Sequence, residues 1–127
     1  MVDVAEGIVK KKSFEFALMI IDVYKQLKNE GEYVISKQLL RSGTSIGANI
    51  EEATAGQSKR DFCAKMAIAA KEARETRYWL RLLQESSLTG IDVNPLLTMV
   101  DELIRLLTAI VKTTSLSNNS KLNTQNS

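Results

Sequence analysis

The alternation of apolar and polar positions predicts four helices in succession. From Ser13, a suitable N-cap, a first helix carries two apolar stripes, one of Phe14, Ala17, Leu18 and Ile21, the other of Phe16, Ile20, Val23 and Leu27. One stripe is enough for a bundle core. A helix apolar over so wide an arc is either deeply buried or shared between a core and a subunit interface. Gly31, after Asn29 and Glu30, is placed to end it in the left-handed conformation. A second helix starts between residues 32 and 36 and runs to Ala55 and Gly56. Ser58, with Asp61 three positions on, predicts the N-cap of a third helix reaching about Ser86. There Phe62, Met66, Ala69, Ala73, Thr76, Leu80 and Leu83 form a 4-3-4-3-4-3 seam of the antiparallel-bundle type. After a turn over 86–90, Asp92 or Asn94 caps a fourth helix with Pro95 in its first turn, and Leu96, Leu97, Val100, Leu103, Ile104, Leu107, Ile110 and Val111 supply its apolar arc. It is expected to end near Lys112 to Thr114.

The second helix contains the most unusual stretch, Arg41 to Ala53, within and before which Ile35, Leu39, the small pair Ser42 and Gly43, Ile46, Ile50 and Ala53 recur at helical spacings of three and four. Each glycine inside a helix costs about 1 kcal/mol relative to alanine, so Gly43 and Gly47 need a compensating reason. Close approach of another helix supplies one, since the two glycines lie four apart on one side of the cylinder. Ala69 and Ala73, in the middle of the third helix's seam, are candidates to face this small region. A phosphate-binding loop is the competing reading, but no Lys-Ser or Lys-Thr follows the glycines and no strand-like run precedes them. A break at Ser42 to Ser45, giving two short helices, is a further alternative.

Four amphipathic helices joined by short turns define an all-α class, an up-down antiparallel four-helix bundle. The expected organisation is a flexible N-terminus over 1–12, the bundle over 13–114 and a disordered polar tail over 115–127. At 127 residues the chain suits one domain, and 44% hydrophobic with 25% charged residues suits a soluble globular one. The absence of histidine excludes histidine-based catalysis and metal ligation, and the single Cys63 cannot form an internal disulfide. No signal peptide or membrane span is recognisable, so a cytoplasmic location with Cys63 reduced is expected.

A net charge of +2 provides no global field for drawing the protein onto nucleic acid, so any basic footprint is local. The third helix supplies one. From Lys59 to Arg81 there are seven basic residues (Lys59, Arg60, Lys65, Lys71, Arg74, Arg77 and Arg81) against three acidic ones (Asp61, Glu72 and Glu75). Lys59 and Arg60 sit at the helix's positive end, where the macrodipole disfavours them. Arg74, Arg77, Tyr78 and Arg81 lie within two turns, and guanidinium groups beside an aromatic ring can grip phosphates and stack on unpaired bases. Lys59, Arg60, Lys71, Arg74, Arg77, Tyr78 and Arg81 are therefore the candidate nucleic-acid contacts. The alternative is that the arginines pair with Glu72, Glu75 and Glu85 at helical spacing, or with acidic residues of another subunit.

Glu51, Glu52 and Asn49 raise the question of a carboxylate site, which in a bundle needs inward-facing Glu and His from several helices. Without histidine, a solvent-facing or salt-bridging role fits better. No catalytic, cofactor-binding or metal site is predicted. Cys63 lacks a base partner and reads as a packing residue. Trp79, one position off the seam, either borders the core or anchors an oligomer contact.

The run from Leu39 to Ala53, then Ser58-Lys59-Arg60-Asp61-Phe62, then Lys71 to Leu80, resembles the bacterial four-helix-bundle proteins encoded in 23S ribosomal RNA intervening sequences. The resemblance spans roughly Phe14 to Val111. It implies a non-enzymatic, all-helical homopentamer similar to the accessory variability determinant of diversity-generating retroelements, which works with a reverse transcriptase and RNA through basic surface residues. The family has no established site to carry over. The functional expectation is an RNA-binding accessory protein without a cofactor. The alternative is a scaffold that holds a protein partner such as a polymerase.

Overall fold

The computed structural model describes residues 4–56 and 58–126, with side chains described as far as Leu116. Four helices make up the fold: α1 (Val4–Asn29), α2 (Ile35–Thr54), α3 (Lys59–Glu85) and α4 (Asn94–Asn126). α1 and α3 each pack on both α2 and α4, while the diagonal pairs α1/α3 and α2/α4 do not meet. Cross-helix partners give the direction of each helix. Lys10 pairs with Glu51 while Ile20 lies against Gly43. Lys65 pairs with Glu52 while Thr76 bonds Ser42. Cys63 reaches the Val111 carbonyl while Arg77 meets Asp101. In each case, advancing along one helix means retreating along its neighbour, which is the up-down four-helix bundle.

α1 begins at Val4, upstream of the predicted start. Val9 and Ser13 extend the buried stripe of Phe16, Ile20, Val23 and Leu27 towards the N-terminus. Val9 is 0% exposed, so burial against the bundle supports turns that Gly7 and the Lys10 to Lys12 run make unpromising in isolation. Ser13 is accordingly not an N-cap. It is buried in the helix interior, where its hydroxyl donates to the Lys10 carbonyl at 3.0 Å. The expected flexible N-terminus over 1–12 is thus helical from Val4, and residues 1–3 lie outside the described residues. Of the two predicted stripes, only the one with Phe16 is core. Phe14 and Leu18 of the other are 63% and 51% exposed.

The α1–α2 connection satisfies both helix ends. Gly31 takes φ 86°, Glu32 N–H donates to the Leu27 carbonyl at 2.9 Å and Gly31 N–H to that of Lys28 at 2.9 Å, which is a Schellman motif. The Glu32 carboxylate then accepts from the N–H groups of Val34, Ile35 and Ser36 at 3.0, 2.9 and 2.7 Å. It caps three of the donors that a helix start leaves unsatisfied. Burial alone would push the Glu32 pKa up, but these hydrogen bonds outweigh it and hold the carboxyl below its ordinary value.

α2 runs unbroken through Gly43 and Gly47, which excludes both the two-helix alternative and the phosphate loop. A Cβ at Gly43 would meet Ile20 of α1 at 2.9 Å, and one at Gly47 would meet Ser13 at 3.5 Å. The glycines therefore admit α1, whereas the small middle of α3 meets α2 at Ser42. Ser42 and Thr76 are both fully buried and share a hydrogen bond of 2.9 Å. Ala69 and Ala73 are buried in the same seam.

Ser58 caps α3 as predicted, its hydroxyl accepting from Asp61 N–H at 3.1 Å. Asp92 accepts from Asn94 N–H at 3.0 Å at the start of α4, with Pro95 in its first turn. α4 passes the predicted end at Lys112 to Thr114 and continues to Asn126, because no glycine or proline follows Pro95 to stop it. The segment 115–127 is therefore helical rather than disordered as far as Asn126. Ser127 lies outside the described residues, as do the side chains beyond Leu116.

Candidate nucleic-acid interface

The buried seam of α3 (Met66, Ala69, Ala73, Thr76, Leu80 and Leu83) faces α2 and the core, with Phe62 half-buried at its start. This orientation turns the candidate cations outward in two groups. Lys59, Arg60 and Lys71 are exposed and have no acidic partner among the described residues. Arg74, Arg77 and Arg81 are also exposed, but each is engaged. Arg74 donates to the Thr108 hydroxyl at 3.0 Å, Arg77 Nε to Asp101 Oδ1 at 2.8 Å, and Arg81 pairs with Glu85 at 3.7 Å.

The acidic residues of α3 are used differently from the helical-spacing alternative. Glu72 and Glu75 both bind Arg41 of α2 rather than the arginines on their own helix. Only the Arg81–Glu85 pair follows the predicted spacing. Arg41 thereby ties α2 to α3 and occupies the two carboxylates nearest Lys71 in α3.

Tyr78 is 57% exposed and stands edge-on to Trp79, with ring centroids 5.2 Å apart. Trp79 is half-buried against the core and donates its indole N–H to Glu75 at 3.0 Å, so it borders the core. One aromatic ring beside the cations is therefore available for stacking.

Two basic residues outside the predicted set join the same side. Arg105 and Lys112 of α4 are seven positions apart, hence on one helix face, and both are exposed without an acidic partner among the described residues. With Arg74 and Arg77 they line two clefts between α3 and α4, of about 410 and 420 Å³. Their signal in the sequence is the seven-residue spacing, easily overlooked because neither has a basic neighbour in α4.

The acidic candidates do not converge. Glu51 pairs with Lys10 at 3.4 Å and Glu52 with Lys65 at 2.7 Å, both at the surface, and the Asn49 side chain donates to the Ser45 carbonyl at 2.8 Å. Among the described residues there is no group of three or more Cys, Asp or Glu able to hold a metal ion. Cys63 is a half-buried packing residue whose thiol lies 3.9 Å from the Val111 carbonyl.

A small up-down helical bundle with a basic, partly uncompensated surface is the class that the fold and this site define. The chain belongs to the 23S rRNA-intervening sequence protein family, whose model matches residues 5–109. It is similar to a Bacteroides thetaiotaomicron protein of unknown function from the S23 ribosomal protein family, whose crystal structure is known. The two are 49% identical, with a TM-score of 0.81, over 86% of this chain and 99% of that one. No curated protein matches the chain.

Proposed function

We propose that this protein is a non-enzymatic RNA-binding accessory protein that acts in the cytoplasm as a homo-oligomer. The observation that carries this reading is the exposed trio Lys59, Arg60 and Lys71, which has no acidic partner among the described residues while Arg41 takes Glu72 and Glu75 of the same helix. Two of the three also sit at the unfavourable, positive end of α3, where helix stability gives no reason for them. Salt-sensitive contact with phosphates does.

Self-association is supported by apolar side chains left on opposite sides of the bundle. Phe14 and Leu18 project from α1, while Ile68 projects from α3, the helix diagonal to it. Two different surfaces on opposite sides suit a heterologous contact, which closes into a ring when the rotation allows. A ring, pentameric by the family resemblance, repeats the basic helix in every subunit and makes modest single contacts cumulative.

Isolation of the tagged protein from cells, followed by recovery of bound nucleic acid before and after a salt wash, tests the reading. Enrichment of RNA that salt removes is expected. Recovery of a single protein partner that survives nuclease treatment, with no RNA enriched, would instead establish the scaffold alternative, which the exposed Ile68 and Tyr78 would equally serve.

A further inference from the structure

We infer that the groove between α3 and α4 is a seat for single-stranded RNA, with Arg105 and Lys112 of α4 as phosphate contacts opposite Arg74 and Arg77 of α3. This inference rests on the RNA-binding reading and assigns it a strand type and a second helix. The groove has an apolar floor that includes Ala70 and Val111, and Arg74 and Lys112 stand at its edge. Arg74 also lines the adjoining cleft with Arg77 and Arg105, so the two clefts meet at its side chain along the helix pair. Asp101 is the one acidic residue lining them, against four cations.

The arginines are held rather than free. Arg77 is fixed through Nε by Asp101, which leaves its terminal Nη groups without a partner among the described residues. Arg74 is fixed across the groove by the Thr108 hydroxyl. A guanidinium anchored in this way offers a planar fork to a phosphate, and a face to a base, with little entropy left to lose.

Dimensions select the strand type. Packed neighbouring helices lie about 8–10 Å apart, so the groove between them is far narrower than a duplex. Bases inside a duplex are stacked away from such a floor, whereas an unpaired base can splay out and reach it. Ala67, an exposed small residue on the groove wall, leaves the room.

The test is fluorescence anisotropy on the full chain, with a labelled oligouridylate and a labelled RNA duplex of matched length, each at two salt concentrations. The single strand is expected to bind about tenfold more tightly than the duplex, as base contacts of this kind add that much. Arg105→Ala/Lys112→Ala is expected to lower the salt slope for the single strand by about 1.4, about 0.7 for each phosphate no longer neutralised. Ala67→Leu, which fills the groove from an exposed helical position, is expected to weaken the single strand and spare the duplex. Circular dichroism melting of both variants verifies the fold. Equal binding of both RNAs, with Arg105→Ala/Lys112→Ala and Ala67→Leu unaffected and Lys59→Ala/Arg60→Ala/Lys71→Ala weakened, would overturn the groove and leave the RNA-binding reading standing. Failure of the wild-type protein to bind either RNA would overturn both.

Discussion

Gly43 on α2 and Ile20 on α1 approach so closely that a Cβ on the glycine would fall 2.9 Å from both Cγ1 and Cγ2 of the isoleucine. Ile20 is fully buried, and the atoms met first are its branched γ-carbons rather than the far end of a flexible side chain. Gly43→Ala is therefore expected to destabilise the bundle, overpacking of about 1–3 kcal/mol outweighing about 1 kcal/mol of improved helix propensity. At Gly47 the same methyl group meets Ser13 only at ordinary van der Waals distance, 3.5 Å. Gly47→Ala is expected to be neutral or stabilising by up to about 1 kcal/mol, whereas Gly47→Leu still overpacks. Thermal unfolding of the three variants gives the order.

The buried hydrogen bond between Ser42 and Thr76 joins α2 to α3 inside an otherwise apolar seam. Thr76→Val removes one hydroxyl and leaves the other without its cross-helix partner, at an expected loss of about 1–3 kcal/mol. Adding Ser42→Ala is expected to recover part of that loss, because no orphaned hydroxyl then remains. Denaturant unfolding of the single and double variants measures the coupling.

Glu32 makes the start of α2 sensitive to acid. The folded state keeps its carboxyl ionised more readily than the unfolded chain does. Its capping contribution is thus fully present above the ordinary value of 4.5 and is lost as pH falls through the lower folded-state value. Glu32→Ala is expected to cost about 1 kcal/mol at neutral pH, as the removal of other caps does. The difference from wild type should shrink below pH 4.5. Unfolding free energies across that range check the sign.

The seam of α3, the Ser58 cap and the Gly31 stop were legible because each depends on local spacing or local backbone chemistry. The start of α1 was not, since the burial of Val9 depends on neighbours brought by the fold. The glycines of α2 announced a close approach, but the small residues Ala69 and Ala73 pointed to α3 as the partner, whereas the helix that the glycines admit is α1. For the site, the basic character of α3 was visible in composition, but pairing was not. Arg41 reaching Glu72 and Glu75, and Asp101 reaching Arg77, join residues distant in sequence. Arg105 and Lys112 matter only once α4 lies beside α3.

Self-association through the outer face of α1 has a direct test. Leu18 is exposed, so Leu18→Glu leaves the bundle core untouched. Sedimentation is expected to show a smaller species with unchanged helical content. An unaltered oligomer would place the interface on another surface.

RNA affinity as a function of salt, for the wild-type protein and for Lys59→Gln/Arg60→Gln/Lys71→Gln, tests the central claim most directly. The logarithm of the wild-type binding constant is expected to fall linearly with the logarithm of salt concentration. The variant is expected to bind more weakly, with a slope shallower by about 0.7–0.9 for each phosphate that the missing cations leave unneutralised. An affinity and slope equal to those of the wild type would contradict the assignment of α3 as the RNA-binding helix.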